Sequence, residues 1–485
     1  MQKSDKYINI LVVGAGKAGE LISGDINSSS ESSLRVVGFV DDDTGKQNKA
    51  INGIPVLGSI AELPGVISKT MATEVLLAMP SARGDVIRRV VDASIDLKIT
   101  YKILPRISEV LAQPFKEDYL KHIRRVEPVD LVGGELSKQD QDDIRSHVYH
   151  RTILITGAAG SIGSELSRQI SLYGADKVIF YDWWENGMFE LRNQIVSNYP
   201  GGDFEFIIGD VKDRKKLNYI VKKFKPDTIF HAAAYKHVPL MEANAGEAIK
   251  NNIIGTKSVA EAAIRHKVKK FVLVSSDKAV NPTNVMGATK RGAEKIIHIL
   301  AESQSDTTFC AVRFGNVANS NGSVMPIFEK QIDRGGPITV THKEVTRYFM
   351  TIPEAVHLIL KAWIMGRNND LFVLDMGSPI KIYDLARWII AINGYTPNKD
   401  IRIDIVGLRP GEKLYEELLV DEESTQSTTV NGIFKTKNYL NFDRLRFLNN
   451  LTFIEESLED EDFDTKQIKE HLKLMISTYA PSAED

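Results

Sequence analysis

Ser275-Ser276-Asp277-Lys278 closes the apolar run "KKFVLV", and Met286 and Lys290 follow within "VMGATKR". An aspartate and a lysine side by side supply one group that takes a proton and one that gives it, which suits a reaction needing both. On its own an Asp-Lys pair is usually a surface ion pair; its position after a strand is what lifts it. A strand delivers such residues to the carboxyl edge of a sheet, where open α/β folds hold their ligands. Met286 and Lys290 are four apart, so on a helix they share a face. Of the two only the lysine is ionisable, because a thioether has no proton to give.

The elements that must position these residues show in the pattern of apolar runs and glycines. "INILVVGAGKAGELI" (8–22) and "TILITGAAGSIGSELSRQI" (152–170) each run from a β-rich stretch through a glycine-rich turn into a helix-like stretch. Alternating strand and helix signals follow both, which predicts an α/β chain with two Rossmann-like, doubly wound parallel-sheet domains. The expected boundaries are 1–105 for an N-terminal nucleotide- or CoA-binding-like domain and 106–150 for a polar linker. Residues 151–424 would form the second domain with a small C-terminal substrate lobe, and 425–485 a polar acidic tail.

In the second domain Gly157 allows the tight turn off the strand, and Gly160 lets backbone approach a pyrophosphate. Gly163 lets the helix pack close, and Ser161 and Ile162 open the helix whose N–H groups face phosphate. Asp182 ends the next strand 19 residues after Gly163, where a carboxylate accepts both ribose hydroxyls and favours NAD over NADP. Trp183 and Trp184 serve adenine stacking or packing equally well. Asp210 and Val211 in "GDVKD" and Ala232, Ala233 and Ala234 in "IFHAAAYKHVP" end two further strands at the same crevice. In the first domain Gly14, Gly16 and Gly19 with Asp41 have the same form, and leave open a bound nucleotide or a retained fold used for assembly.

With 485 residues, a formal charge of −3 and pI near 6.4, the chain has no global electrostatic reason to bind nucleic acid or anionic membrane. One cysteine, Cys310 in "FCAVRF", excludes an internal disulfide framework and fits a reducing compartment, with a buried strand position as its expected place. No apolar run reaches the roughly 18 residues of a membrane span. A cytoplasmic chain without a metal site is expected.

Five stretches then carry a resemblance: "AAAYKHVPLME", "SSDKAVNPTNVMGATKR", "VRFGNVANSNGSVMPIF", "VTRYFMTIPEAVHLIL" and "LRPGEKLYEELL". Together they resemble the CapD-like nucleotide-sugar 4,6-dehydratases, a branch of the extended short-chain dehydrogenases serving bacterial polysaccharide and glycan synthesis. That superfamily usually places Tyr-x-x-x-Lys where this chain has Met286 and Lys290; the long form of the branch, with an extra N-terminal Rossmann-like domain, carries Met there. The long form usually has membrane helices ahead of that domain, so membrane attachment is expected if the natural chain has an N-terminal extension.

The resemblance implies C5-retaining 4,6-dehydration of UDP-N-acetylglucosamine to UDP-2-acetamido-2,6-dideoxy-hexos-4-ulose with recycled NAD, in a homo-oligomer. Lys278 would be the base at C5 and Asp277 the acid on the leaving hydroxyl. Lys290 would bind the nicotinamide ribose, Ser276 the 4-hydroxyl, and Met286 would form an apolar wall. For the UDP-sugar it implies Arg313, Asn316, Arg347 and Arg409, with Glu412 as partner of Arg409. Lys236 and His237 would line the sugar pocket, and Asn252 would brace backbone beside it. The alternatives are a C5-inverting dehydratase, a UDP-sugar 4-epimerase, or a catalytically silent NAD-binding regulator or scaffold.

Overall fold

A computed structural model describes residues 7–28, 33–104, 122–133, 138–304, 306–409, 411–418, 424–437, 442–459 and 464–481. Residues 106–121 and 134–137 of the expected connector and the acidic stretch 460–463 lie outside the described residues. The chain divides into two compact units, residues 1–135, 323–344 and 380–407, and residues 136–322, 345–379 and 408–485.

The first unit is built on β1 (Ile8–Val13), β2 (Leu34–Val40), β3 (Glu74–Leu77), β4 (Thr100–Ile103) and β5 (Arg124–Arg125) in the order β2-β1-β3-β4-β5. All pairs are parallel except the last. Between β1 and the helix α1 (Lys17–Ser28), Gly14 takes φ +106°, and a Cβ on Gly19 would lie 2.1 Å from the Gly14 carbonyl oxygen. Asp41 Oδ2 accepts the Ala15 N–H at 2.8 Å and the Lys46 ammonium at 3.1 Å.

Two segments expected in the second domain pack in this unit, which corrects the contiguous 151–424 boundary. The strand Ile338–Val340 pairs with Ile403–Ile405, and Trp388 donates its indole N–H to Asp92 at 2.7 Å under the guanidinium of Arg88. Sequence order hides such contacts because these segments close their packing against residues some 300 positions earlier.

The second unit holds a nine-stranded sheet. Its strands are β6 (Thr152–Thr156), β7 (Lys177–Asp182), β8 (Phe204–Ile208), β9 (Thr228–His231), β10 (Lys270–Val274), β11 (Thr308–Arg313), β12 (Asp370–Leu374), β13 (Thr425–Ser427) and β14 (Ile433–Thr436). The order β8-β7-β6-β9-β10-β11-β12-β14-β13 is parallel through β12, and β14 and β13 then add antiparallel. Parallel strands covered on both faces read as continuous apolar runs, as "TILIT" and "KFVLV" do. The order reverses between β6 and β9, so their carboxyl ends frame the crevice where doubly wound sheets take ligands.

Residues 425–485 are therefore not a tail: they supply two strands of this sheet and the helices Arg444–Ser457 and Thr465–Met475. Phe447, Leu451, Ile468 and Leu472, spaced by four within each helix, bury against Ile249, Val285 and Ile296. The acidic character of the segment masked that stripe. The helix Lys138–Val148, read as linker, likewise buries Ile144 and Val148 in the core with Ile153 and Ile155.

Candidate active site

Glycine geometry builds the cofactor cradle. Gly157 takes φ +71°, and a Cβ there would sit 2.5 Å from the Ala233 nitrogen. A Cβ on Gly163 would sit 1.9 Å from the Gly157 carbonyl, so the helix α2 (Ser161–Leu172) packs down only on glycine. Gly160 caps α2 without a side-chain hydrogen bond, which leaves the first turn's N–H groups for an anion. Ser161 accepts the Asn321 N–H through Oγ at 3.2 Å, and Ile162 packs against the core beneath.

Asp182 ends β7 buried, its carboxylate accepting the N–H groups of Ala159 (3.0 Å) and Trp184 (2.9 Å). Burial pushes its carboxyl above the usual range against these hydrogen bonds. Asp182 stands to the turn of β6 as Asp41 stands to that of β1. Asp210 accepts the Lys212 N–H at 2.8 Å, Val211 is buried, and the carbonyl of Asp210 takes the Tyr181 hydroxyl at 2.8 Å. Ala232 donates to the Thr156 carbonyl at 2.9 Å, which fixes the backbone of 232–234 beside Gly157. These residues fit a dinucleotide: glycine-only approaches, an uncapped helix start and a ribose-level carboxylate converge on one crevice.

At the end of β10, Ser276 and Lys278 converge on one oxygen of Asp277. The Ser276 hydroxyl donates to Oδ1 at 2.9 Å and the Lys278 ammonium to the same atom at 3.0 Å. Oδ2 of Asp277 is buried and has no hydrogen-bond partner among the described residues. Lys278 also donates to Asn316 Oδ1 at 3.1 Å and lies 3.6 Å from Glu416 Oε1. Burial works against the charge on Lys278, but Asp277 and Glu416 outweigh it and raise its pKa above the ordinary lysine value. Burial raises the Asp277 carboxyl against the pull of Lys278.

Lys290 lies on the helix α3 (Val285–Ser303), donating to the Val274 carbonyl at 2.6 Å, and burial lowers it to about 8. Met286, one turn before it, is enclosed with Val285, Ile249 and Ile253 in an apolar cluster, and so serves packing rather than proton transfer. Burial and the nearby Lys278 lower the pKa of Lys236; burial and Lys236 lower that of His237. A Cβ on Gly322 would lie 2.5 Å from the His237 ring.

Several residues expected at the substrate have partners within the chain. Arg313 is fully buried, with Nε and Nη2 each 2.8 Å from a different oxygen of Glu294, so its fork is committed to the core. Arg347 spends its donors on its own chain: the carbonyls of Thr346 (2.7 Å), Lys413 (2.8 Å) and Leu414 (3.3 Å), then Glu412 (3.4 Å) and Glu416 (3.5 Å). Glu412 meets Arg409 through the backbone N–H at 3.1 Å, and Arg409 is exposed. Asn252 braces backbone as expected, accepting the Tyr235 N–H (2.8 Å) and donating to its carbonyl (3.0 Å) and to Thr289 (2.9 Å). That places it behind the sugar loop rather than on a ligand. Asn316 meets Lys278 instead of phosphate.

Two carboxylates escaped the sequence reading. Glu294 lies beneath the site, accepting from Ser275 (2.6 Å) as well as Arg313. Glu416 stands inside "LYEELL", a stretch already marked by resemblance, yet a glutamate on a polar loop carries no local sign of burial.

Comparison with known proteins agrees with this architecture. Residues 153–438 match the family described as polysaccharide biosynthesis protein, and residues 2–105 match the CoA-binding domain. The capsular polysaccharide biosynthesis protein CapD of Staphylococcus aureus is 43% identical over 433 residues, covering 88% of this chain and 71% of that one. A UDP-glucose 4-epimerase of Rickettsia akari is 36% identical over 292 residues (59% and 82%). A UDP-N-acetylglucosamine 4,6-dehydratase (inverting) of Campylobacter jejuni is 35% identical over 280 residues (56% and 79%). A CoA-binding-like domain joined to an extended short-chain dehydrogenase domain is thus the class that fold and site define. The chain belongs to the polysaccharide biosynthesis protein family, as a CapD-like member of its nucleotide-sugar dehydratase and epimerase group. Among the described residues, no helix is long and apolar enough to cross a membrane.

Proposed function

We propose that this chain is a UDP-N-acetylglucosamine 4,6-dehydratase that retains configuration at C5 and makes UDP-2-acetamido-2,6-dideoxy-hexos-4-ulose for polysaccharide or glycan assembly. The observation that carries the reading is the Asp277–Lys278 pair at the end of β10, with Asp277 Oδ2 buried and unpartnered. Loss of water across C5–C6 needs one group to take the C5 proton and another to protonate the departing C6 hydroxyl. When bound, NAD would supply the removal of hydride from C4 and its return to C6, while the C4 hydroxyl proton leaves through Ser276, Lys290, Asp277 or an ordered water. Gly157, Gly160 and Gly163 would hold its pyrophosphate, Asp182 its adenosine ribose and Lys290 its nicotinamide ribose.

From the place of Lys278 between two carboxylates we infer the reverse of the expected division of acid–base work. Lys278 rests as an ammonium between two carboxylates and is the donor to the C6 oxygen. Ser276 and Lys278 both occupy Oδ1 of Asp277, which leaves Oδ2 to take the C5 proton. One carboxylate that takes the C5 proton, exchanges it with solvent and protonates C5 from the same face of the sugar retains the configuration. Arg409 and Lys236 are the cations left for the diphosphate and sugar.

The name of the Rickettsia relative favours a second reading, a UDP-sugar 4-epimerase, but epimerisation at C4 leaves C5 untouched and has no use for the pair. Proton NMR of the enzyme with UDP-N-acetylglucosamine and NAD in D₂O decides. A new C6 methyl signal with deuterium at C5 is the expected result. A C4-inverted sugar without a methyl signal would replace the dehydratase reading by the epimerase one.

A further inference from the structure

Glu416 brings a carboxylate to the Asp277–Lys278 pair from another part of the chain, beside Arg347 and Lys236. Its carboxylate is buried, 3.6 Å from Lys278 Nζ and 3.5 Å from Arg347 Nε. The segment that carries it is fixed in place: Arg347 grips the carbonyls of Lys413 and Leu414, Leu414 accepts the Thr346 N–H at 3.0 Å, and Thr283 donates to the Gly411 carbonyl at 2.9 Å. A loop residue held this firmly under a charged lysine has a defined electrostatic task.

We propose that Glu416 is a positioning residue of the acid–base centre: delivered by the clamped 411–416 segment, its carboxylate holds Lys278 in place as the ammonium. The inference rests on the dehydratase reading for its consequence and on geometry alone for its premise. Asp277 and Lys278 share one proton, and either can carry it. An anion on the far side of Lys278 keeps it on the lysine, so Asp277 stays the acceptor. The charged groups facing Lys278 are Asp277 on its own turn, Glu416 and Arg347 from the segments packed over it, and Lys236 across the site. Those facing Glu416 are Lys278, Arg347 and Lys413. Arg347 and Lys236 oppose the ammonium, so the two carboxylates decide the balance.

The test compares wild type with Glu416→Gln and Glu416→Asp. Competitive acylation of lysines across a pH series, read at the Lys278 peptide by mass spectrometry, reports the lysine's protonation without any turnover. Removing a neighbouring carboxylate lowers the Lys278 midpoint by about one to three pH units in Glu416→Gln. Glu416→Asp keeps the charge and returns most of the shift. In turnover, Lys278 must be protonated to act, so rate is lost as pH rises through its pKa, and that loss comes at lower pH in Glu416→Gln. At neutral pH the variant keeps most of its kcat; on the alkaline limb kcat falls about tenfold for each unit of midpoint shift, while KM for the nucleotide sugar holds. An unmoved Lys278 midpoint in folded Glu416→Gln overturns the inference, whatever the activity. A shifted midpoint in a protein whose wild type makes no 4-keto product leaves the inference standing and removes the dehydratase reading.

Discussion

Replacing Arg313 by Met separates a core role from a phosphate-binding one. The guanidinium is fully buried and forked onto Glu294, whose carboxyl burial would raise, yet Arg313, Arg291 and Ser275 hold it down at about 2. Against the ordinary value of 4.5 that depression corresponds to about 3 kcal/mol, at about 1.4 kcal/mol for each unit. Breaking a buried pair from one side typically costs about 3–5 kcal/mol, and because Arg291 and Ser275 share in the depression, a loss of about 3 kcal/mol is expected. Methionine keeps most of the volume and leaves Glu294 with Arg291 and Ser275 alone to offset its buried charge. Near-UV circular dichroism and calorimetry should show the unfolding transition of the second unit falling by roughly 6–12 °C. Titration calorimetry with UDP should give an unchanged Kd in folded Arg313→Met. The sign with pH follows from the depressed folded value: the pair's contribution is complete above about pH 4.5 and is lost as pH falls toward 2, so the gap between variant and wild type closes in acid. A double variant, Arg313→Met with Glu294→Gln, recovers only part of the loss, because the buried Arg291 then gives up its ion pair with Glu294. An unmoved transition with UDP affinity down tenfold would refute the reasoning and restore Arg313 to the diphosphate.

Two further outcomes follow from the same geometry. Gly157→Ala forces a side chain onto φ +71° with its Cβ 2.5 Å from the Ala233 nitrogen, so NAD affinity measured by titration calorimetry should fall at least tenfold; wild-type affinity would mean that the turn is not the cradle. Met286→Tyr puts a phenol into the packed cluster of Val285, Ile249 and Ile253, and overpacking of this kind typically costs about 1–3 kcal/mol. Denaturant unfolding should show that loss without any gain in turnover, and a faster enzyme would show that the site retains room for a tyrosine base.

What the sequence determined by itself is whatever depends on neighbours along the chain. The two strand–glycine–helix openings, the acid at the end of the following strand and the Asp-Lys pair after "KKFVLV" are local patterns, and each is realised within a few residues of where it is written. Gly163 answers to contact with the Gly157 carbonyl six residues earlier, which the spacing prescribes, whereas the approach of Ala233 to Gly157 comes from the end of a strand 76 residues away. Tertiary structure decided where charges meet across the fold. Arg313 and Arg347 have the right chemistry for phosphate, but the fork of one closes on Glu294, 19 residues earlier on α3, and that of the other on the 412–416 segment some 65 residues away. Glu416 joins Lys278 from 138 positions downstream, and segments 323–344 and 380–407 fold with residues 1–135 rather than with their sequence neighbours. A charged side chain looks the same in sequence whether it is solvated or buried; only its burial and its partner set its energy, and both are supplied by distant chain.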